Sequence, residues 1–203
     1  MKVCILGNGL TSFTLAKALV NLGIKVDIFP NDKIKIDSKG RTLGLSNSNI
    51  NFFNKNILNI EKLLWDIKRI EIFTENLKNE KILDFTNNDQ RLFSLIKNNE
   101  LFKKLNTALV KNKFFRIKKK INKNFFLQKD YNLIFNCDLN NSITKKFFYK
   151  KFSKDYQSFA FTGIIKHQKL KNNVATQIFT NKGPLAFLPI SENQTSVVFS
   201  VRG

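Results

Sequence analysis

Four apolar residues, Val3 to Leu6, run directly into Gly7 and Gly9, and from Leu10 the apolar positions recur at helical spacing (Leu10, Phe13, Ala16, Leu19, Val20) up to Gly23. This pattern predicts a short buried parallel strand, a glycine turn, a helix to Leu22 closed by a left-handed cap at Gly23, and a second strand ending near Phe29. Beyond a polar connection over 31–40, Ser46 or Asn47 is placed to cap a short helix through Leu58. Residues 61–85 combine a helix start at Glu61 to Trp65 with strand-like pieces at Arg69 to Thr74 and Lys81 to Phe85. A strand over Leu92 to Ile96 then precedes a helix over Asn99 to Val110 whose stripe is Leu101, Leu105 and Leu109. Residues 114–127 read as a basic hairpin. Tyr131 to Asp138 reads as a late strand returning to the parallel sheet. Ser158 to Gln168, Val174 to Phe179, Leu185 to Pro189 and Thr195 to Val201 are four strand candidates expected to form one antiparallel sheet. The fold class is therefore α/β, a Rossmann-like parallel sheet joined to an antiparallel β-sheet. The domains are expected at 1–150, with an excursion into a second layer at about 66–96, and at 151–203.

Composition narrows this only a little. The chain has 203 residues, enough for one substantial core or one domain with part of another. Its formal charge of +20 would ordinarily suggest nucleic acid or an anionic membrane, but all but five of the 35 basic residues are lysine, spread evenly among many asparagine, isoleucine and phenylalanine residues. Such spread is mainly solvated surface. Even the most basic stretch, Lys111 to Lys120, fits a lysine-rich edge strand or helix face, and nucleic acid is not expected as a partner. Cys4 and Cys137 lie in apolar runs without Cys or His at ligand spacing, so no metal site or disulfide is expected and a reducing compartment fits. With no charged leader, no apolar h-region and no run of the roughly 20 apolar residues that span a bilayer, a cytoplasmic location is expected.

The chemistry is concentrated at the first turn. Gly7, Gly9 and Ser12 stand where a dinucleotide fingerprint places its three glycines, between a strand and a helix, with Ser12 as a small replacement at the third. The opening amides of that helix, at Leu10, Thr11 and Ser12, and the positive end of its dipole suit a pyrophosphate. The alternative is a glycine turn that binds nothing. Where the second strand ends, the acid that commonly holds a ribose hydroxyl is replaced by Pro30. Asp32 is the nearest stand-in, and Asp27 reads as a side chain on one face of the sheet. Lys33 and Lys35 leave room for a 2′-phosphate, so the motif does not separate FAD, NAD and NADP. His167, the sole histidine, reads as a surface residue, and Gly183-Pro184 reads as a turn into a strand.

Several segments in order carry a resemblance: the cradle Gly7-Asn-Gly-Leu-Thr-Ser12, then Arg41-Thr-Leu-Gly-Leu-Ser46, Asn98 to Leu105, Asp130 to Asp138, and His167 to Pro189 with Asn172-Asn173 and Gly183-Pro-Leu-Ala-Phe-Leu-Pro189. Together they resemble the aromatic-ring flavoprotein hydroxylases of the para-hydroxybenzoate hydroxylase type, in particular the ubiquinone-biosynthesis branch (2-polyprenylphenol hydroxylase). The resemblance implies an FAD-binding parallel-sheet domain and a β-sheet substrate domain incomplete at the C-terminus. FAD would lie extended on the helix that starts at Gly9, with Arg41 near the cofactor and Asp138 at the acid of the family's Asp-Gly motif. Leu139 stands where that motif has glycine. The strand after Gly183 would lie over the ring pocket.

The implied activity is an FAD-dependent monooxygenase that hydroxylates the ring of a polyprenylated phenol with molecular oxygen through a flavin C4a-hydroperoxide, NAD(P)H or another reductant supplying electrons. The hard chemistry belongs to the cofactor, so no catalytic side chain is nominated. Peripheral contact with the inner membrane and with other ubiquinone-pathway enzymes would follow from such a substrate. Family members run to about twice this length and carry a later Gly-Asp segment, so the resemblance implies a truncated or reduced member. A dinucleotide-binding module without catalysis stays open beside it, as does a basic interaction protein.

Overall fold

The computed structural model describes residues 1–31, 40–75, 80–88, 90–118, 130–147, 150 and 152–203. In chain order the elements are β1 (Lys2–Leu6), α1 (Leu10–Asn21), β2 (Lys25–Phe29), β3 (Thr42–Leu45), α2 (Asn47–Asn56), a single 3-10 turn (Glu61–Leu63), β4 (Trp65–Ile67), β5 (Arg69–Thr74), β6 (Lys81–Thr86), β7 (Phe93–Lys97) and α3 (Asn98–Val110). β8 (Phe115–Ile117), β9 (Leu133–Asn136), α4 (Ser142–Phe147), β10 (Ser158–Lys166), β11 (Val174–Thr180), β12 (Gly183–Ser191) and β13 (Gln194–Arg202) complete it. The chain divides into two compact units, one of residues 1–37, 53–59 and 101–153, the other of 38–52, 60–100 and 154–203.

In the first unit, a strand with apolar side chains on both faces must be covered on both, and β1 accordingly lies inside a sheet of order β8-β2-β1-β9. β1 pairs in parallel with β2 and β9, and β2 in parallel with β8. On one face Cys4, Leu6 and Phe29 form a core cluster with Tyr131 against it. Val3, Ile5, Val26 and Ile28 point the other way and are fully buried. α1 packs on β1 and β2 through its buried stripe of Ser12, Phe13, Ala16 and Val20. The Phe13 ring lies 4.6 Å from that of Phe102 and 6.1 Å from that of Phe115. Leu101, Leu105 and Leu109 of α3 are buried, as their spacing predicted.

The second unit holds a six-stranded sheet of order β10-β13-β12-β11-β5-β6 and an antiparallel three-stranded sheet of order β3-β7-β4. Between them Ile67, Leu95, Ala175 and Ile190 are buried, with Trp65, Ile70, Phe93, Ile164 and Leu188 packed against that cluster. Ser46 Oγ accepts from the Asn49 amide at 3.3 Å and caps α2.

Several local readings change. Phe115–Ile117 pairs in parallel with β2, with Phe115 buried beside Phe13; the rest of the hairpin expected over 114–127 falls on residues 119–127, outside those described. The helix start at Glu61 is one 3-10 turn, cut short when Trp65 enters β4 against β7. Thr42–Leu45 forms a strand on β7. β10 to β13 do pair antiparallel, but β11 also takes β5 as a parallel partner, and β6 adds an antiparallel edge.

Gly183 opens β12 at φ +134°, and a Cβ placed there would lie 2.0 Å from the Ser200 carbonyl oxygen of the neighbouring strand. Gly183→Ala is therefore expected to cost about 3 kcal/mol or more, because backbone must move to admit one methyl group. Urea unfolding of the purified variant checks this, and a loss below about 1 kcal/mol would contradict the stated geometry.

Candidate functional site

The C-terminal ends of β2, β1 and β9 meet around one glycine. Gly7 is buried at φ +111°, and its amide donates to the Phe29 carbonyl at 2.9 Å. A Cβ at this position would sit 3.2 Å from Ser12 Oγ, 3.3 Å from Asp138 Cβ and 3.3 Å from the Cys137 carbonyl carbon. The backbone angle strains any other residue, and the neighbours would have to give by a few tenths of an ångström to admit a Cβ. On the other side of β1, the Cys137 amide donates to the Leu6 carbonyl at 2.9 Å and holds the end of β9 beside the turn.

Two residues on, the surroundings reverse. Gly9 is the N-cap of α1, in extended conformation, and a Cβ there would meet nothing within 4 Å. No side chain caps the helix, and its first turn carries no acidic residue. The amides at Leu10, Thr11 and Ser12 thus begin a helix with no acidic side chain in its own first turn, next to open space at Gly9. Ser12 is completely buried and its hydroxyl makes no hydrogen bond of good geometry. It lies against Cys137, whose thiol burial pushes up in pKa and the neighbouring hydroxyl draws partly back. An open approach at Gly9, uncapped amides and a first turn free of acids fit the diphosphate of a dinucleotide such as FAD.

Asp138 is only 3% exposed. Its Oδ2 accepts from Asn31 Nδ2 at 2.7 Å, and its Oδ1 accepts from the Asn140 amide at 3.0 Å. Its carbonyl accepts from the Asn141 amide at 3.1 Å and from the Thr144 hydroxyl at 3.0 Å, forming the turn that leads into α4. Leu139, in that turn, is 86% exposed and has no positive φ, so glycine is not required there. Asn31, which the sequence pattern passed over, stands where β2 ends, and its carbonyl accepts from Asn8 Nδ2 at 3.3 Å. No periodicity marks Asn31; only the arrival of β9 beside β2's end reveals it.

Of the residues nominated from sequence, Gly7, Gly9, Leu10, Thr11, Ser12 and Asp138 come together at this corner of the first unit. Asp32 lies outside the described residues. Arg41 belongs to the second unit, where its side chain is exposed and forms no ion pair with a described residue, while its carbonyl accepts from the Asn98 amide at 3.0 Å. Asp27 is buried within the sheet: it accepts from the Tyr131 hydroxyl at 2.7 Å and faces Lys2 Nζ at 3.4 Å. His167, in the second unit, is half-buried rather than at the surface. Its Nδ1 donates to the Gln168 carbonyl at 2.7 Å and its Nε2 lies 3.0 Å from the Thr195 hydroxyl, so both ring nitrogens serve the loop after β10. Clefts of about 820 Å³ beside Lys182 and Gly183 and about 530 Å³ beside Trp65 and Asn172 lie in the second unit, and no glycine-turn residue lines either. Among the described residues no group of three or more His, Cys, Asp or Glu side chains is placed to hold a metal ion, and no helix is long and apolar enough to cross a membrane.

No protein-family model and no curated protein matches the sequence. Solved structures do share the fold. A PqsL of Pseudomonas aeruginosa, described as a probable FAD-dependent monooxygenase, superposes with a TM-score of 0.74 at 12% identity over 100% of this chain and 60% of its own. HpxO of Klebsiella pneumoniae, solved with FAD and uric acid, gives 0.74 at 13% identity over 99% of this chain and 56% of its own. CtdE, solved with FAD and a substrate, gives 0.75 at 13% identity over 100% and 57%. The chain spans somewhat over half the length of these structures.

Gly7→Ala is expected to lose about 1–3 kcal/mol of stability from strain and contact, and Gly9→Ala well under 1 kcal/mol. Paired urea titrations distinguish the two; equal losses would contradict the asymmetry of the turn. Burial, reinforced by the Asp27 charge, pushes the Cys4 thiol up to about 12 and the Tyr131 hydroxyl above its ordinary range. Both groups favour folding while neutral, so their contribution is complete below their unfolded pKa values, about 8.5 and 10, and is lost as pH rises through the folded values. Unfolding free energy is expected to fall from about pH 9 upward, less steeply in Tyr131→Phe; a flat profile to pH 11 would refute the assignment.

Proposed function

We propose that the glycine turn binds the pyrophosphate of FAD and that the chain carries out, or forms the nucleotide-binding part of, an FAD-dependent monooxygenase. The carrying observation is the uncapped start of α1 beside open space at Gly9, on the C-terminal edge of a parallel sheet where ligands of open α/β folds bind. The fold shared with FAD-bound structures supports the same cofactor.

In this reading the amides of Leu10, Thr11 and Ser12 hold the diphosphate, and Gly9 lets its oxygens approach the backbone. Gly7 sets the direction in which α1 leaves β1, and Asp138 fixes the edge of the crevice. Arg41, and Asp32 after the second strand, complete the cofactor contacts. Bound FAD, reduced by NAD(P)H or another donor, supplies the oxygen-activating redox chemistry. The protein's task is to bind, orient and exclude water, which is consistent with the absence of a nominated catalytic side chain.

For substrate we infer a polyprenylated phenol hydroxylated on its ring in ubiquinone biosynthesis, on the ordered segments Arg41 to Ser46, Asp130 to Asp138 and His167 to Pro189. A cytoplasmic enzyme meeting that lipid at the inner membrane, beside other enzymes of the pathway, follows from the substrate's tail. The domain reading is an FAD-binding region within 1–150 and a substrate sheet from 151. A second reading, a dinucleotide-binding module without catalysis, is favoured by Pro30, which stands where dinucleotide-binding folds commonly carry the ribose-binding acid.

Purified protein is expected to take up one FAD per chain, with the yellow absorbance of oxidised flavin and a raised melting temperature. A colourless chain that cannot be reconstituted overturns the cofactor assignment. Flavin uptake without reductant-dependent hydroxylation of a polyprenylated phenol overturns the enzyme reading and leaves the binding module.

A further inference from the structure

The end of β2 in dinucleotide-binding folds commonly carries an acid that meets a ribose hydroxyl. Here the first residues beyond β2 are Pro30 and Asn31, and the neighbouring carboxylate comes from the far side of the sheet. Asp138, at the end of β9, is 3% exposed, and Asn31 Nδ2 donates to its Oδ2 at 2.7 Å. The other carboxylate oxygen accepts from the Asn140 amide at 3.0 Å, so this buried anion is stabilised by hydrogen bonds from an amide side chain and a backbone amide. The same two residues grip the glycine turn. Asp138 Cβ is 3.3 Å from where a Cβ on Gly7 would lie, and the Asn31 carbonyl accepts from Asn8 Nδ2 at 3.3 Å.

We propose that Asn31 and Asp138 form a positioning clamp for the nucleotide, closing the ends of β2 and β9 over the glycine turn, and that the clamp requires one amide opposite one carboxylate. The inference rests on the dinucleotide reading given above. An acid at position 31, which is half-buried, would set a second carboxylate at hydrogen-bonding distance from the buried Asp138, where like-charge repulsion favours one shared proton over two ionised groups. The strands would part, and the turn that aims the amides of α1 would move with them. Chemical identity at position 31 is therefore dictated by Asp138 rather than by the ribose alone.

The test compares wild type, Asn31→Asp, and the exchanged pair Asn31→Asp/Asp138→Asn for binding of FAD and of ADP by calorimetry at pH 7.5 and 5.5, with folding followed by circular dichroism. N31D is expected to weaken both ligands about tenfold or more at pH 7.5, the scale of one broken charge-assisted hydrogen bond, and to regain affinity at pH 5.5 as the carboxylates share a proton. The exchanged pair, in which amide and carboxylate trade strands, is expected to bind within about threefold of wild type with no such pH dependence. If N31D does not fold, the exchanged pair alone decides: recovered affinity supports the clamp, and lost affinity overturns it. Binding by N31D equal to wild type at pH 7.5 also overturns it. Wild type that takes up neither FAD nor ADP overturns the dinucleotide reading and the clamp with it, a result distinct from wild-type binding that N31D leaves untouched.

Discussion

The first unit depends on a close approach at Gly7. Three parallel strands end there, the chain turns through a backbone angle open to glycine, and the space a methyl group would need is already held by Ser12, Cys137 and Asp138. Because the turn is that tight, α1 begins immediately after β1, and its first amides emerge at the sheet's C-terminal edge instead of being consumed by a loop. An extra residue or side chain at this point would detach the helix start from the edge. The direction of the dipole and the openness at Gly9 are both consequences of what is missing at Gly7.

The two buried carboxylates in the described part of the first unit serve to pin strands. Asp27 is held by Tyr131 and faces Lys2, joining β1, β2 and the approach to β9. Asp138 is held by Asn31, joining β2 to β9 at the other end of the same strands. Asp27 lies within the sheet and Asp138 in the turn beyond β9; both are buried, where an unpaired charge would cost several kcal/mol, and each accepts from a side chain distant in sequence. In the second unit His167 plays a comparable part, fixing the loop after β10 against Thr195. The exposed set of Arg69, Glu71, Lys81 and Asp84 along β5 and β6 is of another kind. There Arg69 and Lys81 hold the Asp84 carboxyl well below the usual carboxylate range, and solvent screens most of the gain.

This division has a functional corollary. Among the described residues of the first unit, the buried carboxylates Asp27 and Asp138 are engaged in hydrogen bonds, while the start of α1 carries no side-chain cap. On the function proposed above, the start of α1 would hold the nucleotide, and the redox work would belong to that nucleotide. The charge of +20, carried mostly by dispersed lysine, bears on association and solubility.

The sequence by itself determined the elements whose signals are local. The run Val3–Leu6, the two glycines, the stripe of α1 and the Leu101, Leu105, Leu109 stripe of α3 all fell where their periods placed them, because helix and buried-strand patterns are written within about a dozen residues. It also located the glycine turn between β1 and α1, whose signal is local. Only the tertiary structure decided which strands became neighbours. Phe115–Ile117 joined β2 in parallel across some ninety residues, β5 met β11, and Asn31 met Asp138 at a separation of 107 residues. Such pairings have no periodic trace: a three-residue strand or a lone asparagine is compatible with many partners. The choice among them is made by the packing of Phe115 beside Phe13 and by the need to satisfy a buried carboxylate, neither of which exists until the chain is folded.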